Sequence, residues 1–120
     1  MRIGILVFLT MMLAFLDNYG QPTFQELIKD GMAHGAVPTN DSCFVISGEK
    51  YTSGPGIDGF MAKFDLSGDT LWTRTYGNMD SDVLIDVRQT FDGGYIATGS
   101  IGGLTTSDAW VIRTDALGDM

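Results

Sequence analysis

Beyond Phe44 the apolar residues of this chain fall in short runs rich in β-branched and aromatic side chains, separated by clusters of Gly, Asp and Ser. The runs cover residues 44–47, 60–64, 71–76, 83–90, 95–100 and 110–114, and each predicts a β-strand. No long helical stripe competes with them. A strand with one wet face alternates apolar and polar residues, but Phe44-Val45-Ile46, Phe60-Met61-Ala62 and Trp110-Val111-Ile112 are consecutive. Such strands predict burial on both faces, as in a sheet held between two others. Between two of the runs, Asp65-Leu66-Ser67-Gly68-Asp69 predicts a tight hairpin: Gly68 can take a positive φ, and the Asp and Ser side chains can bond nearby backbone N–H groups. The same turn chemistry recurs at residues 115–119.

The runs are also copies of one another. Laid over DGGYIATG, which starts at Asp92, the segment DSCFVISG, which starts at Asp41, pairs Asp41 with Asp92, Phe44 with Tyr95, Val45 with Ile96, Ser47 with Thr98 and Gly48 with Gly99. Once a single loop residue is dropped, the match continues: Asp58 with Asp108, Phe60 with Trp110, Met61 with Val111, Lys63 with Arg113, Asp65 with Asp115 and Gly68 with Gly118. A fixed period of about 20–50 residues marks solenoids, propellers and other stacked arrays. With about four strands per unit, the repeat predicts propeller-like blades of four-stranded antiparallel sheet; a β-sandwich is the alternative. Residues 33–82 form a first, degenerate unit. Residues 83–120 form a second that stops before the strand that follows Asp69 in the first, so an incomplete blade with open strand edges is expected, and with it self-association or pairing with further blades.

The first residues read differently. Arg2 precedes an apolar run over residues 3–16, broken by Gly4 and Thr10 and followed by polar residues 17–20, which predicts a secretory signal peptide over residues 1–20. Export to the cell surface or medium follows, with the membrane involved only in that export. In the lead-in at residues 21–32, Phe24, Leu27 and Ile28 have helical spacing and Thr23 stands three residues before Glu26, so a short helix or an irregular segment is expected. A degraded strand is expected at residues 36–39, which align with 87–90.

The net charge of −8 excludes a basic nucleic-acid footprint, and a solvated acidic surface accounts for it. Cys43, the one cysteine, aligns with Gly94 and reads as a small buried residue. His34, the one histidine, has no Cys, His or Glu at ligand spacing, which argues against zinc. No G-x-S-x-G elbow occurs. Asn78, Asp80 and Asp82 alternate in a linker and could offer oxygens to calcium, although the EF-hand pattern is absent; they are the candidate metal residues. No other cofactor is expected. Gly54-Pro55-Gly56 and Gly102-Gly103 occupy the same place in both units and lack phosphate-loop spacing, so they read as variable loops of the kind through which repeat proteins bind partners.

DGGYIATGS, SDAWVIRTD and GDTLWTRTYG together resemble the repeats of secreted bacterial β-propeller proteins of Bacteroidetes-like organisms. The matching positions are Asp92, Gly93, Gly94 and Tyr95; Asp108 and Trp110; Arg113, Asp115 and Gly118; and Trp72, Tyr76 and Gly77. Ser42 and Cys43 replace the Gly pair in the first unit. The resemblance implies a non-enzymatic secreted or surface module for protein or glycan interaction, adhesion or spacing. The segment FDLSGDTLW is also similar to the quinoprotein propeller motif, so a fragment of a quinoprotein-like or glycan-processing enzyme is the functional alternative.

Overall fold

Among the described residues the chain forms seven strands, in the order β1 (Gly31–Pro38), β2 (Phe44–Tyr51), β3 (Ile57–Phe64), β4 (Thr70–Tyr76), β5 (Val83–Gln89), β6 (Tyr95–Ile101) and β7 (Asp108–Thr114). The computed structural model describes residues 23–120 except 53, 55, 79 and 104, and no helix occurs among the described residues. The expected leader peptide and the first two lead-in residues lie outside them. The first sheet is the antiparallel meander β1-β2-β3-β4, and the second is β5-β6-β7. The protein is thus all-β, built of two open antiparallel sheets.

The sheets repeat each other in register as well as in sequence. Phe44 lies opposite Phe64 and Gly48 opposite Phe60 in the first; their counterparts Tyr95 and Thr114, and Gly99 and Trp110, are paired in the second. The irregularity recurs too. Register shifts between Ala33 and Gly35, and between Leu84 and Asp86, so His34 and Ile85 are the extra residues of two equivalent β-bulges. This close approach explains a shared glycine. A Cβ on Gly48 would stand 2.0 Å from the Met32 carbonyl oxygen, and one on Gly99 1.8 Å from that of Val83.

Turn chemistry matches as well. Asp65 accepts backbone hydrogen bonds from Ser67 and Asp69 on one side-chain oxygen, and Asp115 accepts them from Leu117 and Asp119. Gly68 and Gly118 take φ of 91° and 78°. In the β1–β2 and β5–β6 turns, Thr39 and Thr90 donate to Asp41 and Asp92 through their hydroxyls. Ser42 holds φ of 61° where Gly93 holds 86°, so the first unit places a side chain where the second leaves the backbone free.

The two sheets pack face to face, with β5 laid across β1, β2 and β3. Val45 and Met61, on the front face of the first sheet, meet Leu84, Val87, Tyr95, Ala97 and Ile112 on the near face of the second. Burying each of the larger side chains contributes about 2 kcal/mol. Phe60, Ala62 and Phe64, the alternate residues of β3, point to the back face, where Ile28 and Ile46 cover them. The predicted two-sided burial therefore holds for β3. It does not hold for β7: Val111 is 62% exposed, because the far face of the second sheet carries no third sheet among the described residues.

Of the two readings of the lead-in, the irregular one holds: residues 23–28 have no regular structure. Strand β1 starts at Gly31, earlier than the strand predicted at 36–39 and just before the boundary set at residue 33. Tertiary packing overrides the helical spacing: Phe24 sits against Phe44 with ring centroids 6.1 Å apart, and Ile28 lies on the back face.

Three substitutions separate these backbone demands in denaturant melts. Gly99→Ala is expected to cost about 2 kcal/mol through the carbonyl clash. Gly93→Ala, where a Cβ would meet nothing within 4 Å, is expected to cost about 1 kcal/mol through φ alone. Ser42→Gly relieves similar strain, about 1 kcal/mol, offset by about 0.4–1 kcal/mol of added freedom in the unfolded chain, so its net change is expected near zero.

Candidate binding face

The linker after β4 is organised by one buried carboxylate. Asp82 is 1% exposed. Its Oδ2 accepts the Asn78 backbone N–H at 2.7 Å, and its Oδ1 accepts that of Gly102 at 2.9 Å. Its own N–H donates to the Ile57 carbonyl at 2.7 Å. One residue thus ties the linker, the start of β3 and the β6–β7 loop together. Gly77 makes room for it: φ is 133°, and a Cβ there would meet Asp82 Oδ2 at 2.2 Å.

The three calcium candidates are therefore placed as follows. Asp82 spends both side-chain oxygens on backbone donors, Asn78 accepts the Asp80 N–H on Oδ1 at 2.9 Å, and Asp80 is exposed. The oxygens a cation would need on Asp82 and Asn78 already face N–H groups. Among the described residues no group of three or more His, Cys, Asp or Glu side chains is placed to hold a metal ion. Nothing in the spacing of residues 78, 80 and 82 distinguishes a loop-anchoring carboxylate from a ligand. The burial that does so depends on Gly102, which is distant in sequence.

Around Asp82 the two sheets leave a cleft of about 410 Å³, lined by Glu49, Ile57, Ser81, Ser100, Gly102 and Ser107 among others. The Gly102-Gly103 loop borders it. At the bulge, His34 Nε2 stands 3.7 Å from Glu49 Oε2, an ion pair only when the imidazole is protonated. A carboxylate, several hydroxyls and glycine backbone make a surface suited to hydrogen-bonding a polar partner.

Trp72, Arg74 and Tyr76, from the segment that resembles a propeller repeat, have structural tasks away from this cleft. Trp72 meets Tyr95 edge-on at 5.8 Å between centroids. Arg74 Nε donates to Asp119 Oδ1 at 2.8 Å, and Tyr76 Oη donates to the Gly118 carbonyl at 2.6 Å. Burial, foremost, pushes the Tyr76 phenol above its ordinary range, so it stays a donor. The outermost strand of the first sheet thereby grips the last turn of the second. Cys43 is buried, as its alignment with Gly94 suggests, with Sγ 3.6 Å from the Asp41 carbonyl. Burial raises its thiol pKa above the ordinary range.

Lys63, only 6% exposed, reaches Asp41 Oδ2 at 2.5 Å and lies over the Tyr95 ring at 5.9 Å. Its counterpart Arg113 makes the same bond to Asp92 at 2.5 Å, in the open. The Lys63 hydrogen bond, then that of Thr39, holds the Asp41 carboxyl below its usual range. For Lys63, burial is the largest single effect and lowers the pKa, but the hydrogen bond to Asp41 together with the contributions of Tyr95 and of the Asp41 charge outweighs it, and the net shift is upward.

No protein-family model matches the sequence, and no similar curated protein was found. What fold and face define together is an all-β protein of two repeated sheets with an acidic, hydroxyl-rich cleft at one end.

Two outcomes check this account. Asp82→Ala is expected to lower stability by about 1–3 kcal/mol and to speed amide exchange at Asn78 and Gly102, whereas added calcium is expected to leave the thermal midpoint unchanged. The lowered Asp41 pKa stabilises the fold above about pH 4, a gain lost as pH falls through the lowered value. The raised Lys63 pKa acts at the other end, its contribution present below about pH 10.5 and lost as pH rises past the raised value. Because Asp41 is largely exposed, the acid loss is expected to be about 1 kcal/mol or less, and Asp41→Asn should flatten it in melts recorded between neutral and acid pH.

Proposed function

We propose that this chain is an exported, non-enzymatic interaction module of propeller-like blades, presenting the loops at residues 52–56 and 102–107 to a protein or glycan partner. The observation that carries this reading is a contrast within the repeat. Strand register, bulge, turn aspartates, turn glycines and the Asp–Lys/Arg bond recur in both sheets, while the loops beside the Asp82 cleft differ in sequence and in length. Repeated positions satisfy the demands of packing. Positions free to vary are where recognition is placed.

Blades are preferred to a self-contained sandwich because the packing has a direction. The front face of the first sheet meets the near face of the second, and these are different faces of the same repeat. Sheets stacked in this way continue in one sense around an array, whereas a sandwich closes by meeting like inner faces. Export rests on Arg2 and the apolar run that follows it.

The test is binding by the full chain to arrayed polysaccharides and to surface-protein ligands, compared with variants in the loops. Replacement of residues 102–107 by a Gly-Ser spacer of equal length, or Glu49→Ala, is expected to weaken binding at least tenfold with the thermal midpoint within a few degrees. Unchanged binding in both variants, or turnover of the glycan, would overturn the reading.

A further inference from the structure

The interface between the two sheets occurs once among the described residues, and the equivalents of its two halves recur on the outer faces, open on the second sheet and, on the first, partly covered by the lead-in, beneath which Phe60 is 1% exposed. On the far face of the second sheet, Ile96, Thr98, Val111 and Arg113 stand where Val45, Ser47, Met61 and Lys63 stand on the front face of the first. The four inner residues are buried; Ile96 is 38% and Val111 62% exposed. The complementary half lies on the back of the first sheet. There Phe44, Ile46 and Phe60 occupy the places that Tyr95, Ala97 and Trp110 fill on the buried near face of the second. That back face is only partly covered by the lead-in residues Phe24, Leu27 and Ile28, and a cavity of about 400 Å³ remains along it.

We propose that these two outer faces are the halves of a head-to-tail interface and that the occupant is a second copy of this chain, its first-sheet back face seated on the second-sheet far face of its neighbour. This rests on reading the two sheets as units of one repeat. The joint is heterologous, so a joined pair keeps one free half of each kind, one on either copy, and the association is open-ended unless its rotation closes a ring.

One position limits its strength. At Gly35 the backbone of β5 comes so close that a Cβ would lie 2.9 Å from the Ile85 carbonyl oxygen and 3.1 Å from Asp86 Cα. The residue equivalent to Gly35 on the second sheet is Asp86, paired with Arg88 at 2.8 Å. Its side chain stands in the path of the next strand. The lead-in segment also competes for the back face, so the self-association is weak and tunable.

Sedimentation of the full chain from micromolar to millimolar concentration reads the proposal directly. The unsubstituted chain is expected to associate reversibly, and Asp86→Gly to associate at least tenfold more tightly. Val111→Lys on the far face and Ala36→Lys on the exposed back of β1 are each expected to be monomeric, with unchanged circular dichroism and melting. Mixed in equal amounts, these two are expected to regain a two-chain complex and nothing larger, because each retains the half the other has lost. Monomers throughout, for the unsubstituted chain and for Asp86→Gly, would overturn the proposal and leave a further repeat of a longer polypeptide as the occupant. Association that survives both lysine substitutions would overturn it in favour of strand-edge pairing. Val111 lies in mid-strand, away from the loop cleft, so loop binding and self-association fail separately.

Discussion

Everything in this structure depends on how the front of one sheet fits the back of the next. Tyr95 is the pivot of that fit: fully buried, edge-on to Trp72, beneath the Lys63 ammonium and within the apolar cluster that holds Val45 and Met61. A small sheet cannot bury both faces by itself, and strands such as β3, apolar on both sides, have no stable exposed state. The second sheet supplies the missing cover on one side and the lead-in residues supply part of it on the other. Seen in this way, the paired glycines, the turn aspartates and the Asp–Lys/Arg bonds all serve a single requirement: they hold the strands and turns of both sheets in the shape in which the two faces meet.

The middle of the chain was legible because its signals are local. Strands β2 to β7 follow from apolar runs and from turns whose Asp and Gly side chains act within a few residues of themselves. Strand β1 was only half visible, for a physical reason: its residues GMAHGAVP include Gly31, Gly35 and Pro38 and a single β-branched side chain, so little local strand preference marks it. The lead-in left two readings open because Phe24, Leu27 and Ile28 carry helical spacing, while Phe24 and Ile28 are spent on the back of a sheet the local sequence does not show. Propensity gave way to burial.

The site was less legible than the fold. Asp82 reads in sequence as one of several alternating oxygens; its role depends on Gly77 and Gly102, brought to it from opposite directions by the packing of the sheets. A glycine with nothing to its sides and an aspartate a few residues on give a weak signal, and only the fold turns them into a brace. The contrast between Lys63, buried, and Arg113, exposed, likewise has no trace in the alignment, where the two residues simply match. Equivalent residues differ in environment because the second sheet covers the front face of the first, whereas no sheet among the described residues covers the far face of the second.

Strand β4 has a consequence of another kind. By its backbone it belongs to the first sheet, through the ladder to β3; by its side chains it belongs to the second, through Trp72, Arg74 and Tyr76. The boundary between the units in energy therefore does not coincide with their boundary in hydrogen bonding. A local opening that begins at the linker cannot free the second sheet without stripping the outer edge of the first, so the two sheets are coupled and open together. Mechanical load along the chain would meet the same coupling, with β4 acting as the latch that distributes a pull on one sheet across both.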